Sequence, residues 1–309
     1  MATKKSDDKK TIPKRVRRLN YKDKKKSVKI NEPIPSSFKI LVSALKHIWQ
    51  NKKLFFGIML VYALLYVLLV KGVATSFKLP DTKQAIEDAG VTSGKLAIGS
   101  VLVGSLFGNI GSTPSESAAV YQVFLFIFIS LVLVWTLRQT YSSRAKITVR
   151  QAFYSSTFPL VQYLLVWLVI CLQLIPALIG IAIYSIVSSN GIAVGVFENV
   201  LWLTLMILFV GVSVFWVSSS LFATYIVSLP EMTPLISLRK AKKVVKFRRF
   251  AIIRKIVFFP VLVGLISIAI FLPLVIYLPI IAEVLFIIYI VFLILVGHAY
   301  FYNLYKKLI

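Results

Sequence analysis

Residues 234–277 read PLISLRKAKKVVKFRRFAIIRKIVFFPVLVGLISIAIFLPLVIY, and their reading decides the fold. Nine cations, from Arg239 to Lys255, precede an uncharged apolar run from Ile256 to Tyr277. About 20 such residues, wound as a helix, cross a hydrocarbon core roughly 30 Å thick. Five more runs share this character: Leu54 to Val70, Ser117 to Leu137, Phe158 to Val187, Val196 to Val227 and Pro279 to Tyr302. Lys and Arg fall unevenly between them, with 17 before the first run, 4 between the second and third, 9 between the fourth and fifth and 2 after the sixth. Only Lys71, Lys78, Lys83 and Lys95, of 36 in all, remain for the other side. The positive-inside rule then places both termini in the cytoplasm of a protein that crosses the cell membrane several times.

Composition narrows the classes further. With 58% hydrophobic and 15% charged residues in a chain of 309, an ordinary soluble domain is excluded, because these runs would expose apolar patches no soluble monomer carries. In lipid each backbone polar group must be satisfied within its own segment, so the runs become helices. Barrel strands would alternate in polarity over about ten residues, and no such alternation is present. A net charge of +25 invites a nucleic-acid reading, but topology accounts for most of it, and nucleic acid is not the expected partner. The one cysteine, Cys171, falls inside the third run, so no disulfide framework exists. A long polar segment precedes the first run, which is expected to stay in place as a signal anchor. The expected fold is all-α: six transmembrane helices in residues 33–309, arranged as three hairpins, each preceded by a cytoplasmic amphipathic segment. The repeat is one of physical character rather than of residue identity.

Residues 1–32 hold 13 basic and 4 acidic side chains and few large apolar ones, the signature of a disordered tail. Lys14, Arg15, Arg17, Arg18, Lys24, Lys25 and Lys26 are candidate contacts for anionic lipid headgroups, each contributing about 1 kcal/mol near a charged surface. After Pro33 and Pro35 an interfacial helix is expected, capped by Ser36 or Ser37, with Phe38, Leu41, Val42, Leu45 and Trp49 as its apolar stripe. Lys39, Lys46, His47, Lys52 and Lys53 are the polar positions around it. A similar segment, Lys146 to Phe153, precedes the third run. Before the fifth, Thr233 is an N-cap and Pro234 suits the first helical position. Leu235, Leu238, Ala241 and Val245 then form a stripe among Arg239, Lys240, Lys242, Lys243, Lys246, Arg248 and Arg249, a second set of candidate lipid contacts.

On the outer side, Ser188-Ser189-Asn190-Gly191 marks a turn and Tyr277-Leu278-Pro279 a tight hairpin. The outer loop from Lys71 to Glu116 is long, and it is the candidate for partner contact. Within it, Thr82 to Ala89 reads as a surface helix and Leu96 to Gly108 as a helix packed on the outer face, with a re-entrant segment as the alternative. Gly90 to Lys95 resembles a phosphate-binding loop only superficially: the glycine spacing is one residue short and Leu96 replaces the Ser or Thr that holds magnesium.

Polar residues inside the runs are few. Glu283, four residues into the last run, is read as an interfacial anchor rather than an ion site. His298, about 22 Å further along that helix, is expected to be hydrated. Gln173 and the serines Ser218, Ser219 and Ser220 are expected to join helices, with a polar intramembrane site formed with Glu283 as the alternative. Pro176, Pro260 and Pro273 are expected kinks. No nucleophile–base pair, paired carboxylates or zinc motif is recognisable, so neither catalysis nor a cofactor or metal is expected.

Two stretches carry a family resemblance: Leu229-Pro230-Glu231-Met232-Thr233-Pro234 through Arg248-Arg249-Phe250, and Ile147-Thr148-Val149-Arg150-Gln151-Ala152-Phe153. Both resemble the uncharacterised six-helix bacterial membrane proteins related to the membrane domain of glycerophosphoryl diester phosphodiesterases. The likeness runs in arrangement from about Pro35 to the C-terminus. It implies a six-helix fold in a bacterial envelope and transfers no active site, since phosphodiesterase activity in that group belongs to a separate soluble domain. The basic tail and the large first outer loop depart from the family pattern.

The expected function is therefore that of a non-enzymatic envelope scaffold or accessory subunit whose basic cytoplasmic face holds anionic lipid or a protein partner. The alternative is a transporter or channel for a small solute or lipid, with Glu283, Gln173 and the span-four serines converging on a cavity. A lipid-acting enzyme would have to draw on Glu231, Glu198 and Glu283, and it is the least favoured class.

Overall fold

Helices start where the sequence offers caps. In the computed structural model, helix α1 spans Ser37–Gln50, and the Ser36 hydroxyl accepts from the Lys39 N–H at 3.4 Å. Helix α2, Lys52–Tyr66, runs on into a π-helical turn, Val67–Lys71. Helix α3 is Glu116–Ser142 and α4 is Val149–Ser156, the latter capped by Thr148. Helices α5, Leu160–Ser189, and α6, Val196–Ser220, form a hairpin, followed by the short α7, Ala223–Ile226. Helix α8, Pro234–Val245, is capped by Thr233 with Pro234 in its first turn, as the sequence indicates. Helices α9, Arg249–Tyr277, and α10, Pro279–Leu308, complete the chain. The structure describes residues 34–71, 116–142, 147–191, 195–229 and 232–309. The expected tail contacts Lys14 to Lys26, the outer loop with its Thr82–Ala89, Gly90–Lys95 and Leu96–Gly108 segments, Glu231, and the side chain of Glu283 lie outside the described residues.

Six of these helices are long and apolar enough to cross a membrane: Lys52–Leu69, Val120–Ser142, Leu160–Ser188, Val196–Ile226, Arg249–Leu274 and Leu285–Leu308. The bundle is all-helical among the described residues. Some boundaries differ from the apolar runs for one reason. Helix α9 begins at Arg249 rather than Ile256, and α10 reaches Leu308 with Lys306 and Lys307 inside it. Long basic side chains lie along a helix and carry their charge to water, so a helix outlasts its apolar stretch. The fourth run is interrupted instead, with α6 ending at Ser220 and a turn at Leu221 and Phe222 before α7.

Helix α3 is the central element. An 18-residue apolar stretch of its span is 61% buried, against 6% for the corresponding stretch of the span starting at Val196. Ile129, Leu131, Val132, Leu133, Val134 and Leu137 are enclosed on every side by α2, α4, α5 and α10. The α5–α6 hairpin packs chiefly on itself. It turns at Gly191, whose φ of 62° favours glycine, and its helices meet where Gly180 faces Phe209. Where Pro176 interrupts α5, the Ala177 N–H donates across the seam to Ser213 Oγ at 2.9 Å.

The apolar stripe expected on α1 faces outward, and a second apolar row packs against the bundle. Ile40, Ala44 and Ile48 are the residues buried against the bundle, with Leu41 partly covered beside them, while Phe38, Val42, Leu45 and Trp49 face outward. The helix thus has two apolar faces, one for protein and one for its surroundings, and the sequence pattern picked mostly the second. Polar ties fix the first. Asn303 Nδ2 donates to the Ile40 carbonyl at 3.0 Å, and the buried Lys255 Nζ donates to the Pro35 carbonyl at 2.6 Å. The Tyr300 hydroxyl donates in turn to the Lys255 carbonyl at 2.9 Å. On α8, Ser237, Ala241 and Val245 are buried, Leu238 is partly so, and Leu235 is exposed.

A Cβ at position 180 would come within 2.7 Å of Phe209 Cβ, whereas at position 264 nothing lies within 4 Å. Gly180→Ala is expected to spread the hairpin and cost about 1–3 kcal/mol, seen as a lower Tm of the detergent-solubilised protein. Gly264→Ala serves as the control, with Tm at or above that of the unaltered chain.

Candidate functional site at the basic end of the bundle

Spans 1, 3 and 5 begin, and spans 2, 4 and 6 end, at the same end of the bundle, where α1, α4, α7 and α8 also lie. No acidic residue occupies the first turn of α1, α2, α4, α5, α8 or α9. Helix N-termini carry partial positive charge, and cations there are disfavoured by about 0.3–1 kcal/mol each. Here Lys52 and Lys53 open α2, and Arg249 opens α9. Three span N-termini and three span C-termini meet at this end, so the helix dipoles largely offset one another and the positive surface comes from the side chains.

Aromatic rings are interleaved with the charges. Lys52 Nζ lies 5.2 Å from the Trp49 ring centroid, Lys246 Nζ 5.6 Å from Phe247, and Arg249 Cζ 4.0 Å from Phe215. Tyr154, Phe158, Phe247 and Phe250 are among the most exposed rings in the protein. Of the rings at this end, Trp49 and Tyr154 have the polar edge that suits the membrane–water boundary. Of the cations expected to touch lipid, Arg239, Lys240, Lys242 and Lys243 project from α8 fully exposed, and Arg248 and Arg249 are half-buried where the chain turns into span 5.

Beneath this surface lies a polar and aromatic layer that the sequence reading missed. His47 Nε2 lies 2.9 Å from Thr140 Oγ1, and the Thr140 hydroxyl donates to the Leu137 carbonyl at 3.1 Å. That hydroxyl has a single proton, so His47 Nε2 must be the donor in the other bond. The imidazole stacks on Tyr141 with centroids 3.7 Å apart, and Lys306 Nζ sits 4.4 Å from the same tyrosine ring. Arg138 donates to the Ser228 carbonyl, tying α3 to the turn after α7. Tyr225, Tyr302 and Tyr305 pack against one another. His298 is not hydrated as expected. It is half-buried, with Nε2 3.0 Å from Ser130 Oγ and an enclosed Nδ1 without a partner. Helix α3 is wide enough in contacts to cover a residue whose position near the end of α10 suggested water. The clue lay in Ser130, a small polar residue in the middle of the second run.

The polar side chains of the candidate intramembrane site have these surroundings. Ser218 Oγ donates to the Phe215 carbonyl at 2.7 Å and Ser219 Oγ to the Trp216 carbonyl at 2.9 Å, both within α6, and Ser220 is buried. Gln173 is half-buried with its Oε1 unbonded. Glu198 reaches back to the Gly195 N–H at 3.2 Å, as a helix cap does. Among the described residues, no three His, Cys, Asp or Glu side chains come together. No family model, curated protein or solved structure matches the chain. Fold and composition define a multi-pass, all-helical membrane protein.

Burial, and secondly the Lys306 ammonium, lower the His47 pKa below its ordinary value of 6.5. The folded state therefore favours the neutral ring, and the unfolded chain binds the proton more readily. The resulting stability is complete above the ordinary imidazole range and is lost as pH falls below it. Thermal denaturation in detergent is expected to show Tm declining between about pH 7.5 and 5.5, with a shallower decline for His47→Gln. Equal slopes would refute the assignment.

Proposed function

We propose that this protein is a non-enzymatic membrane scaffold or accessory subunit whose basic end faces the cytoplasm and holds anionic lipid of the inner leaflet. The observation that carries the reading is the joint placement of cations and exposed aromatic rings at one end of the bundle. Such a surface is self-repelling, and its natural counter-charge is a layer of phosphate headgroups, which contributes about 1 kcal/mol per basic side chain held near it. Ser218 and Ser219 donate to carbonyls of their own helix and Ser213 accepts from α5, which favours a packing role for that span over a solute site. The distribution of Lys and Arg supports the orientation.

Two measurements test this reading. In a Cys171→Ser background, a membrane-impermeant maleimide applied to intact cells is expected to label Asn190→Cys and to spare Lys307→Cys; the reverse pattern refutes the orientation. Native mass spectrometry of the purified full chain is expected to show phosphatidylglycerol retained in preference to phosphatidylcholine, with the preference declining as salt rises. Equal retention of the two lipids refutes the lipid-holding role.

A further inference from the structure

Between α8 and α9 the chain reads Lys246-Phe247-Arg248-Arg249-Phe250, cations and rings interleaved at the head of span 5. Phe247 and Phe250 are 76% and 84% exposed, so the described protein covers neither ring. Trp216, at the basic end of α6, is 47% exposed.

Arg249 differs from the cations around it. Its guanidinium lies 4.0 Å from the centre of the Phe215 ring, and its Nε is buried without a hydrogen-bond partner. Stacking on an aromatic face holds the guanidinium plane in one orientation. A fork held in this way has less freedom to lose when it binds an oxyanion through two parallel N–H bonds. A guanidinium drawn partly out of water with an unmet N–H is costly unless an anion joins it. The sequence supplies little to do so locally: residues 199–282 contain nine cations and one carboxylate, Glu231. The counter-charge comes from elsewhere. The uncovered Phe rings specify its nature, since a free phosphate ion has nothing to place against them, while a phospholipid presents glycerol and acyl carbons beside its phosphate.

We propose that Arg249, seated on Phe215 and flanked by Lys246, Phe247 and Phe250, binds the phosphodiester of an anionic phospholipid in the adjoining leaflet. The inference rests on the lipid-holding reading of the basic end and localises it. Arg249 takes the two non-bridging oxygens, Lys246 adds charge at longer range, and the two Phe rings lie against the lipid's upper carbons.

The test is a native mass spectrometric titration of the full chain with phosphatidylglycerol, with phosphatidylcholine and inorganic phosphate in parallel arms. Arg249→Lys keeps the charge and removes the fork, and Phe215→Leu removes the platform. Each is expected to weaken phosphatidylglycerol binding by roughly fivefold or more. Lys240→Gln, exposed on α8, is expected to change it by less than about twofold. Unaltered affinity in both Arg249→Lys and Phe215→Leu, with the wild-type preference intact, overturns this site and leaves the general reading standing. A wild-type chain without preference for phosphatidylglycerol overturns both. Displacement of the lipid by millimolar inorganic phosphate overturns the lipid assignment. Should Arg249→Lys fail to fold, Phe215→Leu together with Lys246→Gln carries the same comparison.

Discussion

A cation cannot be left in hydrocarbon, and that penalty organises this molecule more than any single contact does. Each of the three hairpins returns the chain to the end where its lysines and arginines lie. Helix α9 begins within its cluster of arginines, and α10 ends beyond its apolar stretch with Lys306 and Lys307 still helical. Once the charges share one end, the remaining architecture follows. Water-facing helices gather there, and polar side chains settle immediately beneath them. The opposite side of the α5–α6 hairpin is left with apolar surface suited to lipid.

The gathering brings an electrostatic cost, and the structure shows how it is met internally. Arg138 is directed to a carbonyl, Lys255 to the Pro35 carbonyl, and Lys306 and Arg249 to aromatic faces. These are neutral partners, which soften a cation's burial without neutralising it. The field at this end is therefore directed outward.

Much of the architecture was legible because it depends on composition and period. Six spans, the tight turn at Leu278, the Gly191 turn and the caps at Ser36 and Thr233 all follow from local chemistry. What remained hidden depends on which neighbour each face meets. Helix α1 illustrates the limit. Its residues 38, 42, 45 and 49 and its residues 40, 44 and 48 both make apolar rows, and only the position of α10 decides which is covered. His298 illustrates it again: a place near a helix end suggested water, yet Ser130 from a distant run closes over it. Ser218 and Ser219 stand out for their polarity, but a hydroxyl in a helix can turn back on its own carbonyls, and these two do.

Helix α10 touches α1, α2, α3 and α9, and it follows all of them in the sequence. The α5–α6 pair, by contrast, seals largely against itself. Biogenesis must then run out of step with sequence order. The middle hairpin can leave the insertion machinery as a finished unit, while the first two spans wait, partly uncovered, until the C-terminal helix arrives. A chain truncated ahead of Pro279 would strand its N-terminal third in that waiting state, a natural substrate for membrane quality control.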